Sequence, residues 1–131
     1  MVNKRYKSGY MFELNTKHVL EKKGYYVIAS RGSHGVLDLV AIHEKFVLGL
    51  QLKKNCSVSK IELDKLYNLL TPKNMFLICL IKNNETLTIN FIGNEPEKLI
   101  KEQIINDLTK RGYMNEWNTK AIKKRICWWN L

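Results

Sequence analysis

The chain has 131 residues, 22 lysines and arginines against 12 aspartates and glutamates, and a formal charge of +10. That length suits one domain with a proper core, and no run of 18 apolar residues is present to predict a membrane span. The positive excess is spread along the chain, which favours a polyanionic partner, most often nucleic acid, over a merely soluble basic protein.

In chain order, residues 11 to 23 predict a helix. Phe12, Thr16, Val19 and Leu20 form its inner stripe, and Gly24 stops it. Glu13 falls about 20° from Leu20 around the helix axis, at the border of that stripe. Tyr25 to Ala29 is a β-prone run. The loop Ser30-Arg31-Gly32-Ser33-His34-Gly35 offers backbone amides that either bind a phosphate or simply connect two strands.

Residues 35 to 53 hold two Val- and Leu-rich runs around the polar break His43-Glu44-Lys45, which predicts an antiparallel hairpin. A turn centred on residues 44 and 45 sets Asp38 opposite Gln51, and such cross-strand neighbours sit about 5 Å apart. Alternation puts Gln51 and Lys53 on one face and Leu50 and Leu52 on the other, in a core. Gly49 shares the polar face and is expected to leave room there. An acid, an amide oxygen and an amine thus converge on one patch. Mg²⁺ takes carboxylate and carbonyl oxygens and keeps waters. Asp38 and Gln51 suit it, with Lys53 placed to orient or deprotonate a bound water. A structural Asp–Lys pair at a strand end is the alternative.

Ser59-Lys60-Ile61-Glu62 has the capping-box pattern. A helix with Leu63, Leu66, Tyr67 and Leu70 follows, stopped by Thr71-Pro72. Met75 to Ile81 predicts a buried strand, Asn83-Asn84 a turn, and Thr86 to Ile92 an alternating edge strand. Asn94 is the expected cap of a third helix, with Pro96 in its first turn and Gly112 at its end. The tail from Tyr113 is basic and carries Trp117, Trp128 and Trp129, with a short helix expected from Thr119. Cys56, Cys79 and Cys127 lack paired spacing and read as reduced thiols in a cytoplasmic location. His18, His34 and His43 have no metal-ligand spacing, and the N-terminus lacks a signal-peptide core. The sum is a single α/β domain, a five-stranded mixed sheet with helices on both faces and a C-terminal helical extension over about residues 94 to 131.

Four of these pieces together resemble the archaeal-type Holliday junction resolvases of the PD-(D/E)xK nuclease superfamily. They are Lys7-Ser-Gly9 before Glu13, the loop Ser30-Arg-Gly-Ser33, Leu37-Asp38-Leu-Val-Ala41, and Leu50-Gln51-Leu-Lys53. The resemblance covers about residues 5 to 92 and implies a restriction-endonuclease-like fold. It implies a homodimer that nicks two opposed strands of a four-way DNA junction. Glu13, Asp38 and Gln51 would hold Mg²⁺, with Mn²⁺ as a substitute, and Lys53 would position water or offset charge. Ser33 and Arg31 would meet the phosphate at the cut, and Lys4, Arg5, Lys7 and Lys54 the DNA backbone. Two departures stand out. Gln51 replaces the usual glutamate, and Leu14 stands where many resolvases carry arginine. A restriction- or repair-type nuclease on duplex DNA and a non-catalytic DNA-binding module are the rival expectations. The host would be an archaeal, bacterial or virus-infected cell.

Overall fold

A computed structural model describes residues 4–30, 35–83 and 86–109, with side chains from residue 9 onward. The element order is α1 (Lys4–Lys22), β1 (Tyr26–Ala29), β2 (Leu39–Ile42), β3 (Val47–Lys54), α2 (Lys60–Tyr67), β4 (Met75–Asn83), β5 (Thr86–Ile92) and α3 (Lys98–Thr109). The five strands lie in one sheet in the order β1-β2-β3-β4-β5. Only β3 and β4 pair in parallel, because α2 carries the chain from the end of one to the start of the other. The remaining pairs are antiparallel.

The two faces of the sheet bury different layers. Phe12 and Leu20 of α1 and Ile104 and Leu108 of α3 pack with Leu39, Leu48, Leu50, Ile78, Leu80 and Ile89. On the other face, Leu66 of α2 packs with Leu77, Cys79 and Ile92. Burying each such aliphatic side chain contributes about 1.5–3 kcal/mol. Thr16 is buried in the first layer with its hydroxyl donating to the Phe12 carbonyl at 2.8 Å, so its polarity is met inside the helix.

Helix ends follow local chemistry. The Tyr25 N–H donates to Leu20 O and the Gly24 N–H to Glu21 O, a Schellman closure. It requires the left-handed backbone that Gly24 adopts at φ 93°. At α2, Ser59 accepts from the Glu62 N–H while Glu62 accepts from the Ser59 N–H, so the capping box is complete.

Several expectations need correction. Helix α1 begins at Lys4 rather than at residue 11, so Gly9 lies inside it. A helix interior tolerates one glycine at a modest cost. Helix α2 ends at Tyr67, with Asn68 as its cap, and Leu70 is 97% exposed beyond it. Helix α3 starts at Lys98, after Pro96 rather than around it. Strand β5 is an edge strand, yet Thr88 and Asn90 are buried, so its alternation separates two covered faces. Gly49 does not leave space. A Cβ there would lie 2.8 Å from Leu77 Cδ2 and 3.0 Å from both Leu37 Cδ1 and Met75 Cε. The missing side chain lets these three close over the strand. The expected end of the third helix at Gly112, the tail helix and the turn residue Asn84 lie outside the described residues.

Two glycine substitutions test this packing. Gly9→Ala should stabilise by about 0.5–1 kcal/mol, the usual helix-interior difference, since nothing lies within 4 Å of its Cβ. Gly49→Val should destabilise by about 1–3 kcal/mol through overpacking. Urea unfolding followed by circular dichroism measures both, and a Gly49→Val midpoint at or above the parent's would refute the closure described.

Candidate functional site

Asp38 stands just before β2. Its N–H donates to Leu50 O at 2.8 Å, and its carbonyl accepts from the Ser30 N–H at 2.9 Å. The ladder pairs Leu39 with Leu50, so the continuing register sets Asp38 beside Gln51 as expected. Its side-chain Oδ2 accepts from the Leu52 N–H at 2.8 Å, which anchors the carboxylate to β3. Burial raises the Asp38 pKa above its ordinary value. The Leu52 amide and the Lys53 charge oppose that rise, and the Glu62 charge adds to it.

Gln51 and Lys53 project from β3 toward α2, opposite to Leu50 and Leu52. Gln51 is 5% exposed. Its Nε2 donates to Glu62 Oε2 at 3.1 Å, and its buried Oε1 has no hydrogen-bond partner among the described residues. The orientation is dictated by chemistry, because a carboxylate only accepts and must face the amide nitrogen. Lys53 Nζ lies 2.7 Å from the same Glu62 Oε2. Glu62 Oε1 in turn accepts from the Ser59 N–H at 3.2 Å and the Ser59 hydroxyl at 3.1 Å. Burial pushes the Glu62 carboxyl up, but hydrogen bonds from Lys53 and Ser59 and the Lys53 charge outweigh it, leaving it below its ordinary value.

Glu62 is the residue that the sequence reading assigned to helix capping alone. The signal for its second role was a glutamine at the acidic position of β3 followed by a glutamate in the first turn of the next helix. That helix must begin beside the end of β3 where Gln51 and Lys53 stand. Glu13 is half-buried on α1, next in sequence to Phe12, on the helix that packs against the Leu50 side of the sheet. Lys54 is half-buried at the end of β3, in register with Lys82. Arg31 and Ser33, and the side chains of Lys4, Arg5 and Lys7, lie outside the described residues.

Across the sheet, Gln51 pairs with Cys79 and Cys79 with Asn90, which prolongs the row that starts at Asp38. Asn90 is fully buried, and neither atom of its amide has a hydrogen-bond partner among the described residues.

These groups suit a hard divalent cation. Asp38 offers a carboxylate, and Gln51 offers a buried amide oxygen that has no donor among the described residues, both oxygen ligands of the kind Mg²⁺ prefers. Among the described residues no three His, Cys, Asp or Glu side chains gather to hold a metal. A cation here would therefore rest on a mixed carboxylate–amide set completed by water.

No family model matches the sequence, and no curated protein sequence matches it. The fold is matched by Hjc from Archaeoglobus fulgidus, a Holliday junction resolvase from an archaeal hyperthermophile, with TM-score 0.51 and 20% identity. The match covers 63% of this chain and 72% of that one. The chain has a fold like that of Hjc. Its five-stranded mixed sheet and three helices are the restriction-endonuclease-like architecture that the motifs implied.

The row makes a reactivity prediction. Burial, with the Glu62 charge, raises the Cys79 thiol pKa to about 12. A thiol is unreactive while protonated, so at mildly alkaline pH Cys79 should remain unlabelled. With Cys56 and Cys127 replaced by serine, maleimide should not label the native protein and should label it fully in guanidinium. Rapid native labelling would place Cys79 outside the buried row.

Proposed function

We propose that this protein is a metal-dependent, structure-specific DNA endonuclease that resolves four-way junctions by paired nicks on opposed strands. The observation that carries it is that Asp38, just before β2, lies beside Gln51 and Lys53 of β3 on one face of the sheet, within a fold like that of a Holliday junction resolvase. Asp38 and Gln51 would hold Mg²⁺, or Mn²⁺ in its place, with Glu13 the third ligand that the family resemblance implies. When bound, such an ion would supply Lewis-acid chemistry at a scissile phosphate. Lys53 would orient a water or offset charge developing on the phosphate. The Leu52 N–H fixes one oxygen of Asp38, so the other would be the one available to an ion.

DNA contact falls to further residues. Arg31 and Ser33 meet the phosphate at the cut, and Lys4, Arg5, Lys7 and Lys54 grip the backbone. Lys54 and Lys82 stand in register at one end of β3 and β4, where burial lowers the Lys82 pKa and the Lys54 charge lowers it further. A homodimer would carry two sites related by a two-fold axis, which suits two opposed nicks. A cytoplasmic location fits this role, and no described helix is long and apolar enough to cross a membrane.

The test is a nicking assay on a synthetic four-way junction beside linear duplex, with Mg²⁺. The junction should be cut at paired positions and the duplex spared; duplex cutting at equal rate would assign a restriction- or repair-type substrate instead. Asp38→Asn should lower cutting by at least about 10²-fold, as loss of a key electrostatic group does, while junction binding persists. Binding itself should weaken steeply with salt, because lysine and arginine contacts to phosphate release counterions. An affinity indifferent to salt would remove the phosphate grip.

A further inference from the structure

Glu62 has a second task. We propose that Glu62 supplies, from the first turn of α2, the negative charge that β3 lacks at Gln51, and that it acts as a positioning residue for both Gln51 and Lys53. It rests on the metal-nuclease function proposed above and adds a member to that site.

The geometry is specific. One carboxylate oxygen, Oε2, receives Gln51 Nε2 at 3.1 Å and Lys53 Nζ at 2.7 Å. Holding the amide by its nitrogen leaves Oε1 as the free end of a side chain that is 5% exposed. Holding the ammonium keeps it on the same patch as Asp38. The other carboxylate oxygen, Oε1, is tied to Ser59, so the group cannot swing away without breaking the cap of α2. The consequence is electrostatic. Asp38 and Glu62 together give the patch two negative charges around one lysine, where Asp38 alone would give it one. A neutral amide bonded to a carboxylate is also a better oxygen donor, because the bond polarises it.

Capping alone would place Glu62 at the same spot, so the test must separate charge from cap. Glutamine serves at this capping position as well as glutamate does. Glu62→Gln therefore keeps the cap and removes the charge. Gln51→Glu in the Glu62→Gln background returns the charge to β3, with the hydrogen bond between the two side chains reversed in polarity. Mn²⁺ binding to the full-length parent and both variants, without DNA, is followed by electron paramagnetic resonance, with thermal unfolding beside it. Glu62→Gln should weaken Mn²⁺ binding about ten- to hundredfold, the usual cost of losing a group that orients a ligand. The double variant should recover most of that loss, and all three proteins should unfold within a few degrees of one another. If Glu62→Gln binds Mn²⁺ as the parent does, or if the double variant stays as weak as the single, Glu62 is only a cap and the proposal fails. If the parent itself binds no Mn²⁺, the metal-nuclease function falls and the proposal with it.

Discussion

The side-chain alternation of β3 is the constraint on which the rest depends. The strand lies in the middle of the sheet, hydrogen-bonded on both sides and covered on both faces. Leu48, Leu50 and Leu52 face α1 and α3, while Gly49, Gln51 and Lys53 face α2. A slip of one residue against either neighbour would send every one of these to the wrong layer. Asp38 guards against that slip. Its N–H bonds Leu50 and its carboxylate bonds the Leu52 N–H, so it clamps β3 across two residues of the same parity. Hydrogen bonds to a charged group contribute roughly 1.5–3 kcal/mol. The acid of the candidate site is thus also a register pin.

From that pin, just before β2, a polar row crosses three strands: Gln51 of β3, Cys79 of β4 and Asn90 of β5. A row perpendicular to the strands is the shortest path through a sheet, and here it runs through a layer otherwise built from Leu66, Leu77 and Ile92. Each unsatisfied polar atom in such a layer costs about 1–3 kcal/mol. Cys79 keeps the row narrow with a small, protonated thiol. Asn90 carries a full amide without a described protein partner, and buried amides of that kind commonly hold an ordered water.

How much of this was legible depended on how local the cause was. The hairpin, its turn at residues 44 and 45, and the facing of Asp38 and Gln51 follow from apolar alternation over a few residues, and the structure has them. The Ser59–Glu62 cap is equally local. Lys4 to Tyr10 carries no apolar stripe, so the early start of α1 left no periodic trace. The burial of Thr88 and Asn90 depends on what covers an edge strand, which alternation cannot reveal. Glu62 shows the limit most clearly. Its four-residue motif announced a cap, whereas its bonds to Gln51 and Lys53 exist only because α2 crosses over from β3 to a parallel β4. The space beside Gly49 is not legible locally for the same reason, since Leu37, Leu77 and Met75 come from outside the strand.

The charge distribution resolves an apparent conflict. A chain of net charge +10 draws polyanions from solution, yet its candidate centre gathers the carboxylates of Asp38 and Glu62. The two operate at different ranges. Diffuse surface charge acts out to about a Debye length, roughly 10 Å at 0.1 M salt. The carboxylates act within a few ångströms, where they would repel a phosphate. Asp38 already registers the shortage of nearby positive charge, since burial and Glu62 raise its pKa despite the Leu52 amide and Lys53. A divalent cation at the Asp38–Gln51 edge would reverse that sign, holding the carboxylate ionised and giving the phosphate an attractive surface. In the metal-dependent function proposed above, long-range attraction brings a phosphate near while local affinity would come only with the ion, so a phosphate would find a favourable place there only together with the cation.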